Sequence, residues 1–353
     1  MIYICKNNRK LLSLLMTLLI LVMTGCGSAD KSTEKVKEED KKGIVIGLSI
    51  DSLVIERWQR DCDVFAATVQ EYDKDASVNI QNANGDAETQ REQIRYLIDK
   101  RVDVLVIVCI DSEGLSDLVE EAHNAGIPVI AYDRLIRNSD VDLYISFDNE
   151  RVGELMGEEL VRSGLEKGNV MMLAGPEEDN NVSLVNAGFE KVMKDNNVNI
   201  KNKYYTPNWK AEEAANYLND HLTELDDVDA IMCGNDNIAT TIIRTLSEAR
   251  LAGKIKITGQ DADLEACQRV VEGTQVMTVY KPVEKLAQVA ANYAIQLAEG
   301  KELKDVNVTI NDGSFDVPYY YIEPIAVTKD NIDETIIESG FHVRDEVYMN
   351  VVD

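Results

Sequence analysis

The chain has 353 residues, and its 63 acidic against 36 basic side chains give a formal net charge of −27 at pH 7. A surface this negative repels nucleic acid and anionic lipid headgroups, so we expect neither as a partner. The length is sufficient for two domains behind a short N-terminal segment.

The N-terminus has the pattern of an export signal. Basic residues at positions 6, 9 and 10 precede an apolar run over 11–23 that is too short for a good membrane span. The segment LVMTGC (21–26) resembles a bacterial lipoprotein cleavage site, in which the cysteine becomes the lipidated first residue. We therefore expect residues 1–25 to be a lipoprotein signal peptide, and the mature chain, without those three basic side chains, to have a charge of −30. Lipid on Cys26, and no basic patch, would then hold the protein on the extracytoplasmic side of the cell membrane.

The segment after the signal is polar. Residues 26–42 contain Val36 as their one large apolar side chain, so they predict a flexible tether. The cysteines beyond it are widely spaced, at positions 62, 109, 233 and 267. They form no CxxC pair and no cluster with histidine, so we expect no metal site and no obligatory disulfide framework. Cys109 and Cys233 lie in apolar strand patterns and are most simply core residues.

From residue 43 onward, apolar strand patterns alternate with amphipathic helix patterns. The first series has strands over 43–51, 77–83, 102–110, 128–132 and 143–147, and helices over 55–72, 88–100 and 112–124. The second series has strands over 169–174, 203–206, 230–233, 255–258 and 275–280, and helices over 150–161, 180–195, 211–225, 238–249, 264–272 and 283–296. A break near 146–149 and a β-rich tail over 316–327, which could return across that break, favour two doubly wound α/β units. A single (β/α)₈ barrel is the main structural alternative.

Two opposite charges follow neighbouring predicted strands in the second series. Asp261 comes after the strand over 255–258, and Lys281 comes directly after the strand over 275–280. Open α/β sheets bind ligands at the carboxyl ends of their parallel strands. An acceptor and a cationic donor at that edge suit a neutral, hydroxyl-rich ligand better than an anion or an apolar molecule. The alternative is an ordinary solvent-exposed pair at two loop ends.

Other polar and aromatic residues share this position near strand ends, and a cleft between two lobes would collect them. The candidate ligand-binding residues are Arg57, Trp58, Asp133, Arg134, Asp179, Asn181, Trp209, Asn235, Asp261 and Lys281. Their arginine, aspartate and asparagine side chains can each bind two adjacent hydroxyls. The set includes both tryptophans of the chain, and two indoles can sandwich the apolar faces of a pyranose. Trp58 taken alone is more simply explained as a core or surface aromatic.

Seven segments of the chain are distinctive. They are IERWQRD (55–61), NANGDAETQ (82–90), AYDRLI (131–136), YISFDNERVGEL (144–155), DNN (179–181), GND (234–236), and GQDAD (259–263) with GTQVMTVYKP (273–282). Together they resemble the bacterial D-xylose-binding proteins, which are type I solute-binding components of ABC sugar transporters. The resemblance covers nearly the whole chain from about residue 43. It implies two Rossmann-like lobes joined by three crossover strands, with residues 43–147 plus about 283–318 in the N-terminal lobe and 148–282 plus about 319–353 in the C-terminal lobe.

The resemblance also implies roles for the candidate residues. Seven residues resemble the family's hydrogen-bonding set, namely Arg57, Asp133, Arg134, Asn181, Asn235, Asp261 and Lys281. Its stacking pair corresponds to Trp58 and Trp209, and we expect Asp179 to be an additional contact. Ser183 departs from the pattern, because the family is associated with a lysine there, and this affects the choice among pentoses and hexoses. The implied function is capture of an aldopyranose, with D-xylose as the expected sugar and glucose or ribose as alternatives. The protein would act as a monomer that delivers the sugar to an ABC permease with its ATPase.

Two other functions remain open at this point. A glycosidase could use two of the clustered carboxylates, but no GxSxG, HExxH, P-loop or GxGxxG motif is present, so we expect no enzyme and no cofactor. A sensor, in which the loaded protein docks onto a membrane receptor, would have the same ligand site. Sugar-responsive repressors share these lobes but carry an N-terminal DNA-binding helix-turn-helix, and the export signal takes that place here.

Overall fold

Two separate β-sheets organise residues 43–54 and 56–351, the part of the chain that the computed structural model describes. The first sheet contains β1 Val45–Ile50, β2 Ser77–Asn82, β3 Val104–Ile107, β4 Val129–Tyr132, β5 Leu143–Phe147, β11 Val308–Asn311 and β12 Asp316–Ile322. The second contains β6 Asn169–Ala174, β7 Asn199–Tyr205, β8 Ala230–Cys233, β9 Lys256–Gln260, β10 Met277–Tyr280 and β13 Ile325–Val327. The expected export signal, Cys26 and the tether lie outside the described residues.

Both sheets have the same core topology. The strand order is β11-β12-β5-β4-β3-β1-β2 in the first sheet and β13-β10-β9-β8-β6-β7 in the second. The pairs within β1 to β5 and within β6 to β10 are parallel, whereas β11 pairs antiparallel with β12, and β13 with β10. Each sheet is therefore doubly wound, with a switch point between its first and third strands. Two separate sheets exclude the single barrel, and the predicted two-lobed α/β fold is confirmed.

Helices cover both faces of each sheet. They are α1 Glu56–Tyr72, α2 Ala87–Asp99, α3 Ser116–Asn124, α4 Asn149–Arg162, α5 Asn180–Asp195, α6 Ala211–Asp220, α7 Asp236–Glu248, α8 Leu264–Glu272, α9 Val283–Ala298 and α10 Arg344–Val347. In the first lobe, α1 and α9 pack on one face and α2 and α3 on the other. In the second lobe, α4 and α5 cover one face and α6 and α7 the other. Burial on both faces explains why central strands such as β3, with the sequence VLVI, are uniformly apolar.

The chain passes between the two sheets three times. The passages lie between β5 and α4, between β10 and α9, and between β12 and β13, at residues 323–324. Because β12 pairs with β5 as far as Ile322, we propose that the third lobe boundary follows that residue instead of lying near position 318.

Several elements differ from the sequence prediction: β7 begins at Asn199 instead of position 203, α3 begins at Ser116 instead of position 112, and two others differ in kind. The predicted helix over 211–225 is α6 followed by the 3₁₀ helix Leu222–Asp227, and the interruption comes after asparagine and aspartate, both poor helix formers. The hairpin of β11 and β12 was predicted only in its second strand. β11 lies at the sheet edge and is mostly exposed, so it lacks the alternation of apolar residues that marks a half-buried strand.

All four cysteines of the described residues are free and buried. Burial raises the pKa of each thiol, that of Cys62 to about 12, which leaves the sulfur atoms as small core groups. Within the described ranges, no three histidine, cysteine, aspartate or glutamate side chains are grouped so that they could hold a metal ion. No helix in that part of the chain is both long and apolar enough to cross a membrane.

Candidate functional site

A cavity lies at the carboxyl ends of the parallel strands of both sheets. Sites for small molecules are commonly concave and lie at this edge of an open α/β sheet. All ten predicted residues line it. The remaining lining residues are Asn149, Ala174, Gly175, Val182, Val185, Asn186, Met232, Gly234 and Gln260.

Asp133 follows β4 directly and is held in an unusual backbone conformation. Its φ of 64° lies in the left-handed region, which costs energy for a residue other than glycine. The Asp133 carbonyl oxygen accepts hydrogen bonds from Ser146 Oγ at 2.6 Å, the Tyr144 hydroxyl at 3.2 Å and Asn181 Nδ2 at 2.9 Å. Its carboxylate accepts a hydrogen bond from Arg57 Nη2 at 3.2 Å. These contacts fix the strand end with its carboxylate on the cavity wall.

Arg134 joins groups from both lobes. Its Nη1 donates to Asp51 Oδ2 at 2.7 Å, just after β1, and its Nε lies 2.9 Å from Oδ2 of Asp179, the N-cap of α5. The Arg134 and Asp179 side chains are only 5% and 2% exposed. Asn181 makes a second link through its hydrogen bond to the Asp133 carbonyl oxygen. The two lobes therefore touch through the same residues that line the cavity.

Asp261 and Lys281 form a buried ion pair beyond the ends of β9 and β10. Lys281 Nζ lies 2.7 Å from Asp261 Oδ1, and each side chain is 8% exposed. The contact is close but is not aligned as a hydrogen bond, so Asp261 Oδ1 keeps hydrogen-bonding capacity for a ligand. Asp261 also has a φ of 100°, which is an uncommon backbone conformation outside glycine.

The turn that carries Asp261 is supported by Asp236, the first residue of α7. Asp236 Oδ2 accepts hydrogen bonds from Asp263 N at 3.2 Å and Thr278 Oγ1 at 2.6 Å. Its Oδ1 accepts from Gln275 Nε2 at 2.9 Å. Burial raises the pKa of Asp236 to about 7, although the hydrogen bonds from Thr278 and Gln275 favour the ionised form. Asp236 does not line the cavity, so its contacts hold the neighbouring turn in place.

The two tryptophans have different surroundings. Trp58 is 2% exposed and packs into the core of the first lobe, and the Arg57 guanidinium carbon lies 4.2 Å from its ring centre. Trp209 is partly exposed, in a 3₁₀ turn after β7, and its Nε1 donates to Asp179 Oδ2 at 3.3 Å. Its indole occupies the space beside Gly175, where an added Cβ would lie 2.3 Å from the ring. The close approach of the Trp209 ring therefore requires glycine at position 175.

The charges on the cavity wall balance. The three carboxylates that line the cavity, Asp133, Asp179 and Asp261, are paired with the three lining cations, Arg57, Arg134 and Lys281. Behind the lining, Arg57 and Arg134 also pair with Asp61 and Asp51. Burial opposes ionisation of Asp133, but Arg57 and other cations outweigh it and hold the pKa of Asp133 below its ordinary value. Burial raises the pKa of Asp179, but both of its oxygens already have partners, namely Asn181 N, Arg134 Nε and Trp209 Nε1. A balanced wall of this kind suits a neutral polar ligand.

Three polar lining residues were not predicted from the sequence. Gln260 ends β9, and its Nε2 donates to the Gly234 carbonyl oxygen at 2.5 Å. Asn149 begins α4, and its Nδ2 donates to Ser146 Oγ at 3.2 Å. Asn186 lies in the middle of α5, on its buried face. A polar residue on an otherwise apolar helix face is a signal that could have identified Asn186.

Ser183 lies one turn before Asn186 on the same helix, at the edge of its buried face. It is exposed, its Oγ donates to the Asn180 carbonyl oxygen at 2.9 Å, and it does not line the cavity. Ser183 itself therefore adds no group to the cavity wall.

A family model and several known proteins match most of this chain. The family model described as "Periplasmic binding protein domain" matches residues 46–302. A D-xylose-binding periplasmic protein from Haemophilus influenzae is 43% identical over 312 residues, which cover 87% of this chain and 93% of that protein. The D-xylose-binding periplasmic protein of Escherichia coli is 42% identical over 311 residues, with the same coverage of 87% and 93%.

A solved structure shares the fold along most of its length. It is a carbohydrate transporter solute-binding protein from Chloroflexus aurantiacus in complex with D-glucose. It is 29% identical to this chain, with a TM-score of 0.80, and the match covers 86% of this chain and 98% of that one.

Proposed function

Because the chain belongs to the periplasmic binding protein family, we propose that it captures one aldopyranose, D-xylose before other sugars, in the cavity between its lobes. The charge-balanced wall is the observation that carries this proposal. Its paired arginine, aspartate and asparagine groups can bind adjacent hydroxyls, whereas they offer little net attraction to an ion. The two D-xylose-binding relatives support xylose, and the structure with bound D-glucose keeps glucose as the first alternative, with ribose after it.

We assign the ten predicted lining residues to this site. The charged and amide side chains would bind the hydroxyls around the rim of the ring, and the indoles would contact its apolar faces. Trp209 is the stronger candidate for stacking, since Trp58 is also part of the core of its lobe.

Capture would be coupled to closure of the lobes. A sugar that contacts Asp133 on one lobe and Asn181 or Asp261 on the other stabilises the closed arrangement more than the open one. The closed, loaded monomer would then be presented to the permease of an ABC transporter and its ATPase. No step of this proposal changes a bond in the sugar.

Thermal unfolding with a panel of sugars tests the proposal. A chain that begins at Gly27, and so lacks the proposed signal and anchor, should unfold at a higher temperature with D-xylose than without it. A ligand that binds only the native state adds about 2.7 kcal/mol at a hundredfold excess over its dissociation constant. Greater stabilisation by glucose or ribose would change the assigned sugar, and no shift with any pentose or hexose would contradict sugar capture.

We also propose that Cys26 is lipidated and anchors the protein outside the cell membrane. The signal pattern at 21–26 supports this, and the periplasmic relatives indicate an extracytoplasmic location. Cells that express the full chain and are fed an alkyne-tagged fatty acid should yield labelled wild-type protein and unlabelled Cys26→Ser protein. An unlabelled wild-type protein with a free mature N-terminus would contradict the anchor.

A further inference from the structure

Asn186 has an unusual position on the cavity wall. It lies on the buried face of α5, is 3% exposed and lines the cavity. Within the described residues, neither its Nδ2 nor its Oδ1 has a hydrogen-bond partner. A buried amide without partners destabilises a protein, so such a group calls for an explanation.

The other asparagines of the wall differ from Asn186 in this respect. Asn181 donates to the Asp133 carbonyl oxygen, Asn149 donates to Ser146 Oγ, and Asn235 accepts from Ile238 N as the N-cap of α7. Each of these side chains therefore contributes to the fold even without a ligand. The Asn186 side chain makes no such contribution.

The close packing of α4 against α5 fixes the position of Asn186 on the cavity wall. Helices α4 and α5 approach so closely that a Cβ on Gly188 would lie 2.0 Å from the Glu150 carbonyl oxygen. The neighbours of Asn186 on the same face, Val182, Val185 and Phe189, are buried and apolar. A leucine has the same branching and the same number of side-chain heavy atoms but no polar group, so an apolar face alone does not explain an asparagine here.

We propose that Asn186 is a specificity-determining residue whose side-chain amide binds two neighbouring hydroxyls of the captured sugar, donating from Nδ2 to one and accepting at Oδ1 from the other. This inference rests on the proposed function. A primary amide presents a donor and an acceptor side by side, which matches the donor and acceptor capacity of a vicinal diol. Asn186 thus favours sugars that keep both hydroxyls at this wall, and it disfavours deoxy sugars that lack one.

The test compares Asn186→Leu with the wild-type chain from Gly27, by calorimetric titration with D-xylose and thermal unfolding without sugar. We expect binding to weaken by about tenfold or more, because the ligand loses two hydrogen bonds. We also expect the melting temperature without sugar not to fall, because the Asn186 side chain makes no hydrogen bond to the protein that the leucine would lose. Ser183→Ala, at an exposed position of the same helix, is the matched control and should change neither value.

The outcomes separate this inference from the proposed function. A wild-type chain that binds D-xylose beside an Asn186→Leu chain of equal affinity overturns the role of Asn186 alone. A wild-type chain that binds none of the pentoses and hexoses overturns the proposed function and this inference with it. Asn186→Ala gives the same information on affinity if the leucine variant does not fold.

Single-deoxy analogues of D-xylose identify the contacted hydroxyls. For each analogue, the affinity of the wild type is divided by that of Asn186→Leu. The ratio should fall towards one for the two analogues that lack a contacted hydroxyl and stay high for the others. A ratio that is the same for every analogue would mean that Asn186 affects the sugar only indirectly, and it would overturn the proposed contact.

Discussion

Replacement of Asp261 by alanine is expected to weaken sugar binding by about 2–4 kcal/mol, because a sugar hydroxyl buried at this wall would lose its charged acceptor. Asp261 Oδ1 keeps hydrogen-bonding capacity for that hydroxyl, and its side chain is 8% exposed. Calorimetric titration of the folded variant with D-xylose, or with whichever sugar stabilises the wild type, measures the effect.

The backbone conformation of Asp261 makes a second variant necessary. Alanine tolerates the φ of 100° at Asp261 poorly, whereas asparagine is among the residues that adopt positive φ most readily. Asp261→Asn therefore separates loss of charge from loss of backbone conformation, and it should weaken binding less than alanine does. Asp226→Ala, an exposed position away from the cavity, controls for the change in net charge. Wild-type affinity in a folded Asp261→Ala protein would remove this residue from the site.

Replacement of Trp209 by alanine should weaken sugar binding by about 30-fold or more, a loss typical of a tryptophan whose ring is covered by the bound partner. The same change should remove most of the sugar-dependent change in tryptophan fluorescence, since the chain has only two tryptophans and Trp58 is already 2% exposed. Fluorescence titration measures affinity and signal together.

Two further variants check the role of the Trp209 ring. Trp58→Phe should keep a sugar-dependent signal, because Trp209 is still present. Gly175→Ala should reproduce the loss of affinity although Trp209 itself is not replaced. The added Cβ would lie 2.3 Å from the Trp209 ring and displace it. Unchanged affinity in Trp209→Ala would mean that this ring stabilises the lobe and does not contact the sugar.

Much of the fold and of the cavity wall could be predicted from local patterns. The alternation of apolar strands and amphipathic helices predicts the two doubly wound sheets, and the structure confirms them. The ten residues chosen from positions near strand ends all line one cavity. The physical reason is general, because parallel strands of one sheet end at the same edge, so residues that follow them meet wherever two such edges face each other.

Other features depended on contacts between distant parts of the chain. Sequence placed Asn186 and Ser183 three positions apart on one helix, but only the packing of α5 against α4 turns the first into the cavity and the second to solvent. The tertiary structure also decided that Arg134 links Asp51 to Asp179.

The sequence by itself thus determined the fold class and ten of the residues that line the cavity, because strand patterns and strand ends are local properties of the chain. Only the tertiary structure decided how the charges are paired, where β12 belongs and which side of α5 forms the wall. Each of these depends on groups that are far apart in sequence and are brought within a few ångströms by packing. The balance of three carboxylates against three cations, from which we infer a neutral ligand, becomes visible only at that level.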